Sequence, residues 1–208
     1  MDDFWFRLPP GFGDLDLGRS EQLEVSDPQA PGVAEARALL HLMDCLGAQG
    51  VMHAACGAHE SDDGGVCVSL LCLSEVDTGS PTATVAAAQC ALTMVNGRFG
   101  SVLSRDLVSL SCGRPAALAT YHLPPPSEEL LRSAGLPVVA GTIFQARLAV
   151  ARPHGPRVIV IDLTTTALDL ADAYTDILLG IGQTVSFVDP DAASEEPRRS
   201  SRLLEVLL

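Results

Sequence analysis

Five adjacent residues, His59, Glu60, Ser61, Asp62 and Asp63, bring together the side-chain types that acid-base catalysis or metal ligation uses. The run leads into Gly64-Gly65 and stands between two β-like segments, where a solvent-facing hairpin turn needs the same polar residues. The turn is the favoured reading. Asp169, Asp172 and Asp176 recur at helical spacing and share one face. Three carboxylates there could receive an arginine-rich partner or a divalent ion, although a charged face is more often only solvated. His41, between Arg37 and Asp44, reads as an exposed hydrogen-bonding group rather than a base. An enzyme of unfamiliar type would have to use His53, His59 or Asp62 in one cleft, and that reading ranks last.

The six cysteines, Cys45, Cys56, Cys67, Cys72, Cys90 and Cys112, form no CxxC pair and have no histidine at ligand spacing. Buried free thiols are expected rather than a zinc site or a disulfide framework. Gly180-Ile181-Gly182 lacks the third glycine and the lysine of a phosphate-binding loop, and reads as a helix C-cap. The nucleophile elbow, the HExxH motif and the calcium-loop spacing are absent. All 13 basic residues are arginine, which excludes Schiff-base and lysine-nucleophile chemistry. The expectation is a non-enzymatic protein with no catalytic residue, no cofactor and no metal.

A formal charge of −13 repels phosphate backbones and anionic head groups, so nucleic acid is not an expected partner. The opening Met1-Asp2-Asp3-Phe4 has no signal-peptide character, and apolar stretches break before the ~18 residues a membrane span needs. A cytoplasmic location is expected. With 208 residues, 47% hydrophobic and 19% charged, the chain is long enough for one substantial core.

The elements that must position these residues follow from periodicity and punctuation. A short strand near Phe4 enters an irregular arm, and a helix runs from about Val33 to Leu46 with Leu39, Leu40, Met43 and Leu46 on its apolar side. Val51 to His59 and Val66 to Ser74 form a hairpin. Ser80-Pro81 reads as an N-cap and first position of a second helix, whose alanines 86, 87, 88 and 91 let it lie close to a sheet. Further hairpins pair Leu103 to Ser111 with Ala116 to His122, and Val138 to Val150 with Arg157 to Leu163. Asp169 caps a last helix with Leu170, Tyr174, Ile177, Leu178 and Ile181 as its buried stripe, and Val185 to Val188 adds a strand or docked segment. Consecutive hairpins mean an antiparallel sheet, so the expected class is α+β with one central sheet flanked by about three helices. The domain is expected to span 1–189, with 190–208 a flexible acidic, Arg-containing tail that has an apolar end.

Two segments stand out as binding candidates. Phe4, Trp5, Phe6 and Phe12 hold four of the nine aromatic residues, either to close the core at the edge of the sheet or to form a partner-binding rim. Leu203, Leu204 and Leu207 belong to a terminal run too short to be a stable helix alone, and so suited to lying in a groove.

Phe6-Arg7-Leu8-Pro9-Pro10-Gly11-Phe12, the strand Val158-Ile159-Val160-Ile161-Asp162-Leu163-Thr164-Thr165, and the later Thr184-Val185-Ser186-Phe187 give the chain a likeness to a known family. Over roughly residues 4 to 190 the order of elements resembles the PsbP-like superfamily. The resemblance implies an antiparallel sheet flanked by helices that binds through its face or rim. It carries over no catalytic residue. Similar folds serve in photosystem assembly, nuclear-import GTPase binding, the mycobacterial envelope, and cytoplasmic chaperoning of hydrophobic segments of secreted toxins. The reading is therefore a protein-binding adaptor or chaperone-like module, secretion- or toxin-associated among the roles implied. Its partner is another protein with a basic or hydrophobic segment, met by Phe4, Trp5, Phe6, Phe12, Asp169, Asp172, Asp176, Leu203, Leu204 and Leu207. The alternative is a small-molecule or lipid-binding domain, with Met43, Met52, Met94 and the phenylalanines lining an internal apolar pocket.

Overall fold

The computed structural model describes residues 4–17, 33–60, 64–96, 100–133 and 141–189. The elements in chain order are β1 (Phe12–Leu15), α1 (Val33–Ala48), β2 (Val51–Glu60), β3 (Val66–Asp77), α2 (Ala83–Asn96), β4 (Ser101–Ser109), β5 (Pro115–Leu123), α3 (Glu128–Ser133), β6 (Ile143–Ala151), β7 (Arg157–Thr165) and α4 (Ala171–Gln183). Seven strands form one antiparallel sheet in the order β1-β2-β3-β7-β6-β5-β4. The class is α+β, and the three hairpins lie where the turn residues place them. What local pattern does not contain is the long-range pairing of β3 with β7, in which Leu71 meets Leu163 and Leu73 meets Ile161.

The two faces of the sheet differ in side-chain size. Leu71, Leu73, Phe144, Leu148, Ile159, Ile161 and Leu163 are buried on one face, together with Tyr174, Leu178 and Ile181 of α4. Each such side chain stabilises the fold by roughly 1.5–3 kcal/mol when fully withdrawn from water. On the opposite face the sheet presents Ala117, Ala119 and Ala149 beside Val158 and Val160, and α2 packs there through Ala86. Small residues on both sides permit this close approach. Ala86 and Ala87 are buried as their composition suggests, whereas Ala88 is exposed.

Several local expectations are corrected. Asp169 does not cap α4; it lies in a single 3-10 turn, Leu168–Leu170, and the helix begins after Leu170 with no side-chain cap. Gly180 and Gly182 lie inside α4, whose C-cap is Thr184. A Cβ at Gly182 would come within 2.4 Å of Leu148, so the glycine is there for helix-to-sheet packing. The cap of α2 is Thr82, whose Oγ1 accepts from Val85 N at 3.3 Å. Ser80 is instead buried and bonded to Thr78 and Gln89. The chain near Phe4 makes one bridge, Trp5 to Ser186, rather than a strand. Residues 185–188 are correspondingly a docked segment.

Candidate partner-binding surface

The aromatic arm lies along the α4 face of the sheet. Trp5 N donates to Ser186 O and Ser186 N to Trp5 O, each at 2.9 Å, and Arg7 N donates to Thr184 Oγ1 at 2.9 Å. This fixes an extended stretch with alternating sides. Phe4 and Phe6 face inward, stacked with centroids 5.9 Å apart, and both pack against the main core. Phe6 meets the edge of His53 at 5.0 Å, and His53 Nε2 lies 3.2 Å from Asp14 Oδ1. The Arg152 guanidinium sits 5.6 Å over the Phe4 ring. Trp5 faces the other way, toward Phe187.

Phe12 begins β1 and lies over Gly57, where any Cβ would come within 2.8 Å of its ring. It packs beside His59 at 5.4 Å, and His59 packs beside Tyr174 at 5.9 Å. His59 is therefore not part of a solvent-facing turn. It belongs to β2, with its Nε2 buried. Glu60 is exposed, and 61–63 lie outside the described residues. His53 and His59 share one face of β2 but are six residues apart, roughly 20 Å along a strand, so they do not converge on one cleft. Among the described residues no three His, Cys, Asp or Glu gather closely enough to hold a metal ion.

Asp169, Asp172 and Asp176 are all exposed, and no ion pair neutralises them among the described residues. Leu203, Leu204 and Leu207 lie outside the described residues, as does the whole of the tail from 190.

The α2 face carries a polar layer that sequence reasoning missed. Arg147 Nε and Nη2 donate to the two oxygens of Asp162 at 2.6 and 2.9 Å, and Gln145 Nε2 donates to Asp162 Oδ1 at 3.1 Å. Burial opposes the Arg147 charge, but the hydrogen bonds and charge of Asp162 outweigh it and raise the guanidinium pKa. Burial, assisted by the Asp162 charge, pushes the nearby Cys72 thiol up to about 12. Cys90 and Tyr121 are raised as well, burial again being the main cause. These groups are protonated and unreactive at neutral pH. The expectation of buried thiols is met only in part: Cys56, Cys67, Cys72, Cys90 and Cys112 are half-buried, and Cys45 is exposed on α1, with Sγ 3.6 Å from His41 Nε2.

Beyond this layer the α2 face is incompletely covered. Val66 and Val68 of β3 are 71% and 54% exposed, and Ala58, opposite Val68 on β2, is exposed too. Alternation explains the pair: Cys67 and Ser69 turn to the α4 core, which forces the two valines outward on the other side. No sequence signal marks them, because Val66 to Leu73 reads as a strand apolar on both faces. Met52, assigned above to an internal pocket, is 45% exposed, and Met43 is a core residue.

No protein-family model and no curated protein matches the chain. Its fold is similar to that of the Saccharomyces cerevisiae Ran-binding protein Mog1p, at 14% identity over 90% of this chain and 92% of that one, with a TM-score of 0.48. It is also similar to LpqN, involved in cell envelope biogenesis of Mycobacterium tuberculosis, at 13% identity over 88% and 82% with a TM-score of 0.46. A third similar structure is protein PA94 of Pseudomonas aeruginosa, at 17% identity over 61% and 79% with a TM-score of 0.39. At these identities and scores the likeness is one of outline alone. The surfaces described here belong to this chain's own residues. Among the described residues no helix is long and apolar enough to cross a membrane.

Proposed function

We propose that this protein is a non-enzymatic protein-binding adaptor or chaperone-like module that engages an apolar segment of its partner. The observation that carries the reading is the exposed Val66–Val68–Ala58 patch at the hairpin end of the sheet. Two valines side by side on a rigid strand, with water on them, are a place where apolar burial gains free energy on association. The rigid sheet beneath keeps the ordering cost of such a contact low. Exposed Asp169, Asp172 and Asp176 supply an acidic field suited to a partner with basic flanks, and Trp5 supplies a half-buried aromatic contact. Phe4, Phe6 and Phe12 act on this reading as the support that holds Trp5 in place. Leu203, Leu204 and Leu207 remain part of the proposal as an apolar segment able to occupy a groove.

The test is a photo-crosslinking residue placed at Val68 in native cells, with one at exposed Glu128 as the control position. A discrete crosslinked protein at Val68, lost on Val66→Asp, supports the reading. Equal labelling from both positions, or none at Val68, rejects it.

A further inference from the structure

Where the arm crosses the segment after α4, the surface opens into a groove of about 560 Å³. Trp5 and Phe187 form its apolar walls, Arg114 its half-buried cationic wall, and His154 and Val188 its rim. No described residue lining it is acidic, although the chain carries 26 carboxylates against 13 arginines. Arg114 makes no ion pair or hydrogen bond among the described residues, unlike Arg132, Arg147, Arg152 and Arg157. A guanidinium partly withdrawn from water and lacking a carboxylate is matched by an incoming one, which it holds with two parallel N–H donors. The volume falls within the range of ligand sites, but it is not closed: Val188 is 67% exposed and His154 is exposed. A groove of this kind retains the end of a longer occupant better than it envelops a small molecule.

We propose that this groove binds the free C-terminal carboxylate of a partner polypeptide whose last residue is aromatic or aliphatic. The carboxylate pairs with Arg114, and the terminal side chain lies between Trp5 and Phe187. The proposal rests on the protein-binding reading and adds a second contact to it, on a different surface from Val66 and Val68.

The experiment titrates the full chain with the hexapeptide Gly-Ser-Gly-Ser-Gly-Phe, as the free acid and as the C-terminal amide, following the emission of Trp5, the single tryptophan. The expected result is saturable binding of the acid, at least tenfold weaker binding of the amide, and a loss of at least tenfold for Arg114→Met. Arg114→Lys, which keeps the charge but loses the fork, should recover part of that loss, and circular dichroism confirms that each variant is folded. Val68→Asp should leave the peptide affinity unchanged, so failure here and failure of the Val68 crosslink are told apart. Equal affinity for acid and amide, or an unchanged Arg114→Met, overturns the proposal. N-acetylphenylalanine binding as tightly as the peptide overturns the polypeptide occupant in favour of a small organic acid.

Discussion

The Arg152 guanidinium covers the Phe4 ring at 5.6 Å while its Nε faces Glu75 Oε1, so one buried cation joins the N-terminal arm to β3. Glu75 also receives Arg157 Nη1 at 3.1 Å on its second oxygen. One carboxylate thus neutralises two guanidinia, one 7% and the other 49% exposed. The arrangement makes docking of the arm depend on a charge pair located far from it in sequence.

Removing the carboxylate takes the Glu75 partner from a buried guanidinium, and losing one member of a buried charge pair is the costly way to break it. Glu75→Ala is expected to destabilise the fold by roughly 3 kcal/mol. Arg157→Ala, at the exposed end, should cost under about 1 kcal/mol. Urea unfolding measures both, and Trp5 emission should shift to the red in Glu75→Ala alone as the arm loosens. Equal costs for the two variants would contradict this account.

Gly57 leaves room for Phe12, because a Cβ there would lie 2.5 Å from Ser69 Oγ and 2.8 Å from Phe12 Cζ. Gly57→Ala is expected to cost roughly 1–3 kcal/mol through this overlap. Pairing it with Phe12→Leu should recover part of the loss, since the smaller side chain gives way. Strict additivity in the double-mutant cycle would show that the two positions do not press on each other.

Cys72 has a folded pKa of about 12 against an ordinary 9.0. Between those values the unfolded chain loses the proton while the folded chain keeps it, so the folded state binds more protons and stability falls as pH rises. The shifts at Cys90 and Tyr121 act in the same direction. Stability measured by urea should be level from neutral pH to just below pH 9, then fall by up to roughly 1 kcal/mol by pH 10 from Cys72. A profile unchanged by Cys72→Ala would assign the alkaline loss to other groups.

The same burial predicts reactivity. At pH 8 the thiolate fraction of Cys72 should be roughly a thousandfold below that of an ordinary thiol, whereas Cys45 is open to reagent. Timed iodoacetamide labelling with peptide mass spectrometry should therefore modify Cys45 first and Cys72 last. Comparable labelling of the two in the folded protein would refute the protected polar layer.

Hairpin and helix positions were legible because they are local. Gly64-Gly65, Arg152-Pro153-His154-Gly155-Pro156 and the 3.6-residue stripe from Tyr174 to Ile181 carry their structure within a few residues. The strand was read through His59, but the covering of its ring was not legible for the converse reason: its neighbours are polar, while Gly11 and Phe12, distant in sequence, fold over it. Asp169 has the residue type of a cap and the spacing of a helix start, yet a 3-10 turn takes the first bonds and moves the helix past it. Neither the Val66–Val68 patch nor the Arg114 groove has a sequence signature. The first depends on how far the helices reach across β2 and β3, and the second on segments from opposite ends of the described chain meeting at Trp5 and Ser186.

By itself the sequence determined the α+β class, the order of elements and the antiparallel hairpins, because turn chemistry and hydrophobic period act over a few residues. Only the tertiary structure decided that β3 pairs with β7, that Phe4 and Phe6 turn inward while Trp5 turns out, and that Glu75 stands between Arg152 and Arg157. Those outcomes depend on side chains about 80 to 180 residues apart competing for the same buried volume and charge, a contest that is settled when the sheet closes on its core.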